Sequence, residues 1–320
     1  MRSLAWAAAA ATFVLLQPTA QWQDQASGAN GTVVRTTDGG ATWEARPVPG
    51  AERLDFRDVD AFSESVAYIL SIGPGEASRI FKTTDGGGHW VEQFKNTDPK
   101  AFLDAMTFRD VNRGFAFSDS VDGRFVILRT SNGGATWERI PAEALPPALD
   151  GEGAFAGSGT NIAISGDRVW IGTTASRMLR SSDGGRTWTV TQTPMATGEA
   201  TGIFSVAFRD AMHGVAVGGN YSKEREASDN LVYTSDGGRT WALAGERGLS
   251  GFRSVVAYIP GTRSSLLAVG PSGADRSDDD GRTWTPMEAG GFHAFSFAPR
   301  TSTGWGAGER GRISRLELSR

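Results

Sequence analysis

The sequence predicts an all-β fold, a β-propeller of four-stranded antiparallel blades. A turn motif returns six times along the 320 residues, at intervals of 43 to 53 residues, which is about the length of one blade. Between the copies, apolar residues alternate as they do in half-buried strands. The 42 glycines and the lack of helical periodicity agree with many short strands joined by tight turns.

Each copy of the motif has a Ser or Thr at its first position, Asp or, once, Asn at its third, Gly at its fifth and Trp at its end. We call these segments the repeated turns. Their third positions are Asp38, Asp85, Asn132, Asp183, Asp236 and Asp279. Their final positions are Trp43, Trp90, Trp137, Trp188, Trp241 and Trp284.

These residue types suit a folding device better than a catalyst. The hydroxyl and the carboxylate can accept hydrogen bonds from backbone N–H groups just ahead of them, and Gly supplies the positive φ of a tight turn. The Trp opens the next strand with a large ring that can pack between neighbouring blades. Asn132 keeps the acceptor oxygen but not the charge, and His89 replaces a Thr. We therefore interpret the six positions as turn locks, not as metal or acid sites.

A second phrase, Phe-Arg-Asp, places the inner strands. It ends at Asp58, Asp110 and Asp210, each time after one apolar strand and before another. The repeat that contains Asp210 shows the full order: strands at 205–208, 215–218 and 231–234, and a fourth that begins at Trp241. Consecutive antiparallel strands of this kind form one blade.

The number of blades follows from counting strands. Seven third strands can be placed, but only six inner strands, near residues 52, 104, 160, 204, 253 and 293. The first blade therefore looks reduced, without its two inner strands, and the segment 22–25 is predicted to be an outermost strand that closes the C-terminal blade. Seven blades are favoured. Six remain an alternative, with the N-terminal hairpin completing the blade that begins at Phe292.

The N-terminus has the pattern of an export signal. Arg2 precedes an apolar stretch, 4–16, that is too short to cross a membrane, and residues 17–20 suit cleavage after Ala20. The sequence thus predicts a signal peptide, 1–20, and one propeller domain, 21–320. We expect a periplasmic or extracellular monomer without a membrane anchor of its own.

Composition limits the chemistry. The formal charge of −4 and the lack of a Lys/Arg-dense stripe argue against nucleic-acid binding. Without cysteine there is no disulfide, thiolate nucleophile or zinc–thiolate site. The spacing of His89, His213 and His293 predicts neither a triad nor a metal cluster. The acidic run 275–280 belongs to the sixth repeated turn and lacks the first ligand of a calcium loop. We predict no catalytic residue, metal or cofactor.

Four phrases resemble the Asp-box, or BNR-type, propellers related to the photosystem II stability and assembly factor of chloroplasts and cyanobacteria. They are 31–40, 158–160, 202–210 and 213–221, and the likeness covers nearly the whole mature chain. Two features depart from the family: Asn220, where the bacterial branch is expected to have Asp, and the shortened first blade. The resemblance implies a seven-bladed, non-catalytic, exported scaffold that binds a protein partner and helps a complex assemble.

A sialidase-like glycoside hydrolase is the enzymatic alternative, because Asp-box propellers include such enzymes and some use a Tyr nucleophile. Those enzymes usually carry Arg-Ile-Pro early in the chain, whereas the nearest phrase here is Tyr-Ile-Pro at 258–260. A carbohydrate-binding propeller is a second alternative, since fold alone does not decide function.

The predicted turns divide the loops between two faces. The repeated turns share one face with the Phe-Arg-Asp turns, and longer loops occupy the other: 95–100, 141–159 and 218–230, the last with Asn220 and Tyr221. An Arg recurs where four third strands begin, so the ring would bring these guanidinium groups to one rim: Arg79, Arg124, Arg177 and Arg312. These six residues are the predicted partner-binding residues. Alternatively, the arginines pair with carboxylates such as Asp122 or Glu309.

Overall fold

Strands that are consecutive in the sequence pair antiparallel and form seven sheets in the part of the chain that the structure describes. That part comprises residues 14–15, 24–297 and 301–318 of the computed structural model. Six sheets have four strands and the last has three, and in every sheet the spatial order of the strands is their chain order. The predicted all-β propeller with seven blades is confirmed, and the six-bladed alternative is excluded.

Blades 1 to 7 are these sheets in chain order. The strands of blades 1 to 3 are β1 (Val14–Leu15), β2 (Asp24–Gly28), β3 (Thr32–Thr36), β4 (Glu44–Pro47), β5 (Asp55–Ala61), β6 (Ala67–Ile72), β7 (Arg79–Thr83), β8 (Val91–Lys95), β9 (Leu103–Asp110), β10 (Arg113–Val121), β11 (Arg124–Thr130) and β12 (Glu138–Arg139). The strands of blades 4 and 5 are β13 (Ile162–Ser165), β14 (Arg168–Gly172), β15 (Arg177–Ser181), β16 (Thr189–Gln192), β17 (Thr201–Phe208), β18 (Gly214–Asn220), β19 (Leu231–Thr234) and β20 (Ala242–Leu243). The strands of blades 6 and 7 are β21 (Val255–Tyr258), β22 (Leu266–Gly270), β23 (Gly273–Ser277), β24 (Thr285–Met287), β25 (Ala294–Phe297), β26 (Thr303–Ala307) and β27 (Ile313–Glu317).

Short 3-10 helices interrupt the connections between strands. In the described part of the chain they are Gly75–Ala77, Ala142–Ala144, Gly245–Arg247 and Glu309–Gly311.

A blade such as blade 2 buries both faces of its sheet, one against the preceding blade and one against the following blade. In β7, Ile80 packs in a cluster shared with blade 3, whereas the next residue, Phe81, packs in a cluster shared with blade 1. Because neighbouring residues of a strand point to opposite sides, both sides of such a strand must be apolar. This arrangement explains why runs such as 67–70 and 125–128 are apolar without interruption.

The Trp that ends each repeated turn lies between blades. Trp188 of blade 4 packs edge-on against Phe115 of blade 3, with ring centroids 6.2 Å apart. Trp43 packs in the same way against Trp305 and so joins blade 1 to blade 7. The other four rings belong to apolar clusters of the same kind: Trp90, Trp137, Trp241 and Trp284.

Blade 1 has its inner strands, in contrast to the prediction. Gln25 of β2 pairs with Arg35 of β3, and β1 pairs with β2 as the innermost strand. The prediction of a reduced first blade, and of a strand at 22–25 that closes the C-terminal blade, is therefore wrong; Trp22 itself lies outside the described residues. The segment Asp-Gln-Ala-Ser-Gly of β2 has no large apolar residue. Ala26 and Ser27 are small and fully buried, so hydrophobic alternation does not reveal the strand.

Within the described residues, blades 1 and 7 close the ring by packing side by side, and no strand of one pairs with a strand of the other. β1 contacts β25 and β26, and Ala26 and Val34 share an apolar cluster with Ala294 and Ala307. Of the predicted signal peptide, 1–20, only the two residues of β1 are among the described residues.

The two faces of the ring carry different loops, as the sequence predicts. In each of blades 2 to 6, a backbone N–H of the repeated turn donates to the turn between the first and second strands of the same blade. Gly86 N donates to Ser65 O at 2.9 Å, and Gly133 N donates to Asn112 O at 2.9 Å. We call this side the turn face. The connections between second and third strands, and between blades, lie on the opposite side, which we call the long-loop face.

Candidate functional site

The carboxylates of the repeated turns are engaged within their own turns. Asp38 accepts hydrogen bonds from Thr42 Oγ1 at 2.6 Å, from Thr42 N at 2.9 Å and from Thr36 Oγ1 at 2.7 Å. The bonds from Thr42, followed by the bond from Thr36, lower the pKa of Asp38 to about 2. Thr36 Oγ1 in turn accepts from Gly40 N at 2.8 Å.

The two variant turns keep this arrangement. Asn132 Oδ1 accepts from Thr136 N at 3.0 Å, but its Nδ2 donates to Thr136 Oγ1 at 2.9 Å, where an Asp would accept. His89 uses its ring Nδ1 to contact Asp85 Oδ2 at 2.6 Å. These positions thus lie in compact hydrogen-bonded turns.

The four rim arginines lie at the start of third strands, on the long-loop face, and three of them are engaged. Arg79 contacts Glu92 at 3.0 Å and donates from Nε to Glu76 O at 2.7 Å. Arg312 lies over the ring of Phe292, with 4.5 Å between the guanidinium carbon and the ring centroid, and donates to Gly291 O. For the exposed Arg124, no acceptor is found among the described residues.

Arg177 is fixed most firmly of the four. Its Nε donates to Glu152 Oε1 at 2.9 Å, and its Nη2 contacts Glu152 Oε2. Glu152 is 1% exposed and also accepts from Thr173 Oγ1 at 2.7 Å and from Leu149 N at 2.9 Å. Arg177 therefore anchors the long connection 140–161 to blade 4. The predicted alternative partners, Asp122 and Glu309, form no ion pair with these arginines; Asp122 pairs with Lys100 at 2.7 Å.

Asn220 shapes the loop that follows β18. Its Oδ1 accepts from Ser222 N at 2.9 Å, and its backbone O accepts from Lys223 N at 3.1 Å. This is the short-range bonding by which Asn closes a turn. Residues 222–229 beyond it are exposed.

An aromatic cluster lies beside that loop, on the long-loop face. Phe155 stacks on Phe204, with ring centroids 3.9 Å apart and planes 6° apart. Tyr221 meets both rings edge-on at 6.0 Å, and Phe252 meets Phe204 at 4.6 Å. Phe204 and Phe252 are buried, whereas Phe155 and Tyr221 are half-buried. We call these four residues the aromatic cluster.

Sequence reasoning identified only Tyr221 of this cluster. The other three rings come from the connection before blade 4, from β17 and from the segment before β21. One signal was available: Phe155 is the single aromatic residue of the long connection 141–159.

Buried and half-buried carboxylates line the innermost strands of blades 2 and 3. Asp58 accepts from Met106 N at 2.7 Å and Asp60 accepts from Phe108 N at 3.0 Å, so both bridge β5 to β9. Burial raises the pKa of Asp60 to about 7, and burial raises that of Asp58 well above its usual value. These carboxyl groups hold two strands together through backbone N–H groups.

Two neighbouring carboxyl groups of blade 3, those of Asp104 and Asp119, also have raised pKa values. Burial, followed by the charge of Asp119, raises the pKa of Asp104 well above its usual value, and the Ala154 N–H opposes this rise. Burial raises the pKa of Asp119 to about 6.

Three carboxylates of the acidic run in blade 6 pair with arginines. Asp275 contacts Arg253 at 2.7 Å, and Asp278 contacts Arg276 at 3.0 Å. Asp280 contacts Arg209 at 2.7 Å. Among the described residues, no group of three or more His, Asp or Glu side chains is arranged to hold a metal ion.

Two of the four tyrosines, Tyr68 and Tyr258, have surroundings unlike that of a nucleophile. Tyr68 donates to Gly133 O at 2.8 Å, and burial raises its pKa to about 12. Burial also raises the pKa of Tyr258, the tyrosine of the Tyr-Ile-Pro phrase. Arg282 lies over the ring of Tyr233, 5.3 Å from its centroid. A raised pKa disfavours the phenolate that a Tyr nucleophile would need.

No helix within the described residues is both long and apolar enough to span a bilayer.

Several solved structures share this fold. The structure described as YCF48 bound to D1 peptide matches with a TM-score of 0.66 and 19% identity, over 97% of this chain and 94% of that one. YCF48 from Cyanidioschyzon merolae matches with a TM-score of 0.67 and 19% identity, over 96% of each chain. The GH74 xyloglucanase from Xanthomonas campestris matches with a TM-score of 0.65 and 16% identity, over 95% of this chain but 51% of the enzyme.

No protein-family model and no curated protein sequence matches the chain. At these identities, similarity in structure demonstrates a common fold. The chain therefore has the seven-bladed propeller fold of YCF48 over nearly its whole length, in agreement with the resemblance to photosystem II assembly factors that its sequence carries.

Proposed function

We propose that this protein is an exported, non-enzymatic scaffold that binds an extended segment of a protein partner on its long-loop face and assists assembly of an extracytoplasmic or membrane complex. The observation that carries the proposal is the aromatic cluster. Phe155 and Tyr221 leave part of their rings accessible on a base formed by the buried Phe204 and Phe252.

Such a surface suits a peptide. Aromatic anchors on a rigid base supply much of the binding energy of protein interfaces, and a rigid ring loses little conformational entropy on binding. The adjoining loop offers charges for the rim of an interface: Lys223 and Arg225 are both exposed, and Lys223 lies 3.6 Å from Glu226. That YCF48 has been solved with a D1 peptide supports a peptide as the ligand class.

The rim arginines have a supporting role in this proposal. Arg177 anchors the connection that carries Phe155, through Glu152. Arg124 is exposed and is the rim arginine best placed to meet a carboxylate of the partner.

The proposal that the protein is exported rests on the signal-like segment 1–20. Because Val14 and Leu15 pair with Ser27 and Ala26, cleavage after Ala20 would remove β1. Blade 1 would then have three strands, as blade 7 has among the described residues.

Carbohydrate binding is the second candidate. It is favoured by one observation, the half-buried faces of Phe155 and Tyr221, since aromatic side chains also stack on sugars. The fold likeness to a xyloglucanase is compatible with it.

An affinity capture from the native membrane and extracytoplasmic fractions tests the proposal. The wild-type protein is compared with Tyr221→Ser, which removes an accessible ring, and with Arg186→Ser, a control on the turn face. We expect one protein to be retained by the wild type and the control but not by Tyr221→Ser, and peptides from that protein to bind directly. Retention of no protein, together with specific binding on a glycan array that Tyr221→Ser abolishes, would favour the carbohydrate candidate.

A further inference from the structure

The residue just before the first position of each repeated turn is a cation in five of the six copies. The six residues are Arg35, Lys82, Arg129, Arg180, Tyr233 and Arg276.

Four of these cations have an acceptor. Arg35 Nη1 donates to Gly86 O at 2.8 Å and Lys82 Nζ donates to Gly133 O at 3.0 Å, so both bind the repeated turn of the following blade. Arg129 contacts Glu138 at 3.5 Å and Arg276 contacts Asp278 at 3.0 Å, both within their own blades.

Arg180 is the exception. No acceptor for its guanidinium is found among the described residues, and its Nε is buried without a partner. The equivalent carbonyl of the next blade, Gly237 O, accepts instead from Trp170 Nε1 at 2.9 Å. Trp170 lies directly opposite Arg180 in the sheet, as Tyr68 lies opposite Lys82 in blade 2. Tyr68 and Lys82 both donate to Gly133 O, whereas at the equivalent carbonyl only Trp170 donates and Arg180 does not.

Two further arginines surround Arg180. Arg168 is two residues before Trp170 on β14, which makes it a diagonal neighbour of Arg180 on the same side of the sheet. Arg168, too, has no acceptor in the described part of the chain. Arg239 belongs to the repeated turn of blade 5, where its Nη1 donates to Asp236 O at 2.9 Å and its other N–H groups have no acceptor among the described residues.

The interface between blades 5 and 6 indicates where Arg239 lies relative to Arg180, because it has residues at the two equivalent positions. There the equivalent pair is Tyr233 and Arg282, and the guanidinium lies 5.3 Å from the ring centroid. Where blade 5 presents an aromatic ring, blade 4 presents Arg180. Burial, followed by the charges of Arg239 and then Arg168, lowers the pKa of Arg180, while Asp236 opposes this shift.

Asp236 does not neutralise the three cations. Its carboxylate accepts from Thr240 N at 3.0 Å, from Thr240 Oγ1 at 2.7 Å and from Thr234 Oγ1 at 2.8 Å, all in its own turn. Three guanidinium groups and one carboxylate leave a local charge of about +2.

We propose that a divalent oxyanion, phosphate or sulfate, binds on the turn face between blades 4 and 5, held by Arg168, Arg180 and Arg239. Guanidinium groups bind such oxyanions through paired N–H donors. Arg168 and Arg180 come from one face of blade 4 and Arg239 from the facing turn of blade 5, so the donors lie on two sides of the site, which suits a tetrahedral ion better than a planar carboxylate. The site is independent of the peptide surface proposed above, which lies on the opposite face.

Titration calorimetry with inorganic phosphate at pH 8, against chloride of equal ionic strength, tests this site. We expect saturable binding by the wild type, weakened at least tenfold in Arg180→Gln and unchanged in Arg276→Gln, the matched position whose cation is paired with Asp278. Arg180→Gln should unfold at the same temperature as the wild type in chloride, or higher, because the change removes a like-charge contact.

Two additional ligands, acetate and methyl phosphate, test which kind of anion the site binds. Acetate should bind far more weakly than phosphate, and equal binding would contradict a site for a divalent ion. Methyl phosphate distinguishes free phosphate from a phosphate group carried on a larger molecule. Binding of methyl phosphate as tight as that of phosphate indicates the group on a larger molecule, and failure of methyl phosphate to bind indicates the free ion. Phosphate binding that is absent from the wild type, or identical in Arg180→Gln, would overturn the proposal.

Discussion

Gly159 packs against the carboxylate of Asp58 across the centre of the ring, so closely that a Cβ at position 159 would lie 2.4 Å from Asp58 Oδ1. Gly159 belongs to the connection that enters blade 4, whereas Asp58 belongs to the innermost strand of blade 2. The neighbouring Ser158 donates from Oγ to Ser254 O of blade 6 at 2.8 Å. This short segment therefore ties three blades together at the centre.

Gly159→Ala should destabilise the fold strongly. Asp58 cannot move away, because Val59 N and Met106 N hold both of its oxygens, at 2.8 and 2.7 Å. The matched control is Gly166→Ala, which has a similar positive φ, 61° against 70°, but has no atom within 4 Å of the added Cβ. We expect about 1 kcal/mol of destabilisation in the control, from the backbone alone, and about 1 to 3 kcal/mol more in Gly159→Ala. Equal losses in chemical denaturation would show that the centre is not packed as described.

Asp60→Asn should stabilise the protein at alkaline pH. The raised pKa of Asp60, about 7, means that the folded state keeps this proton up to higher pH than the unfolded state does. Between the unfolded value, about 4, and about 7, the folded state binds more protons, so stability falls as the pH rises. Asn removes the ionisation and keeps an oxygen acceptor for Phe108 N. Thermal unfolding should show a higher midpoint than wild type at pH 8 and a similar one at pH 4.5. A lower midpoint at pH 8 would contradict the burial of this carboxyl group.

Asp183→Ala should cost about 1 to 2 kcal/mol of folding free energy. Asp183 Oδ1 accepts from Arg186 N and Thr187 N, each at 3.0 Å, and Oδ2 accepts from Thr187 Oγ1 at 2.7 Å. Asp183→Asn should cost less, because Asn132 forms the equivalent turn in blade 3. Urea titration measures both variants. Equal costs would indicate that the charge, and not the acceptor geometry, holds the turn.

Arg253 and Asp275 form a buried ion pair whose two members should be energetically coupled. The side chains are 1% and 0% exposed, and Arg253 also donates to Ser250 Oγ at 2.7 Å and to Phe252 O at 2.8 Å. Removing one partner leaves a buried charge unpaired, so Arg253→Met and Asp275→Asn should each cost about 3 to 5 kcal/mol. The double variant should lose clearly less than the sum of the two, and additive losses would refute the coupling.

The repeat made most of the fold predictable. A period, a hydroxyl, an Asp or Asn and a Trp are properties of each copy, so they specify the blade, its turn and six of the seven third strands without knowledge of distant contacts. The strand β2 was not predicted because its buried residues, Ala26 and Ser27, are small, so the sequence shows no alternation of large apolar residues there.

Contacts between repeats could not be predicted in the same way. The sequence placed Arg177 at the rim, but its partner, Glu152, lies 25 residues earlier in a connection of irregular structure. The aromatic cluster likewise joins residues from separate segments. The bond from Trp170 to a carbonyl of the next blade, beside an Arg180 that has no acceptor among the described residues, is likewise not revealed by any pattern within one repeat.

Site-specific photocrosslinking measures most directly whether the long-loop face is the binding face. A photoreactive phenylalanine analogue replaces Tyr221 in one variant and Thr240, exposed on the turn face, in another, and each is irradiated in the native membrane and extracytoplasmic fractions. The account predicts a crosslink to one protein from position 221 and none to that protein from position 240. A crosslink to the same protein from position 240 alone, or no protein crosslink from either position, would contradict it.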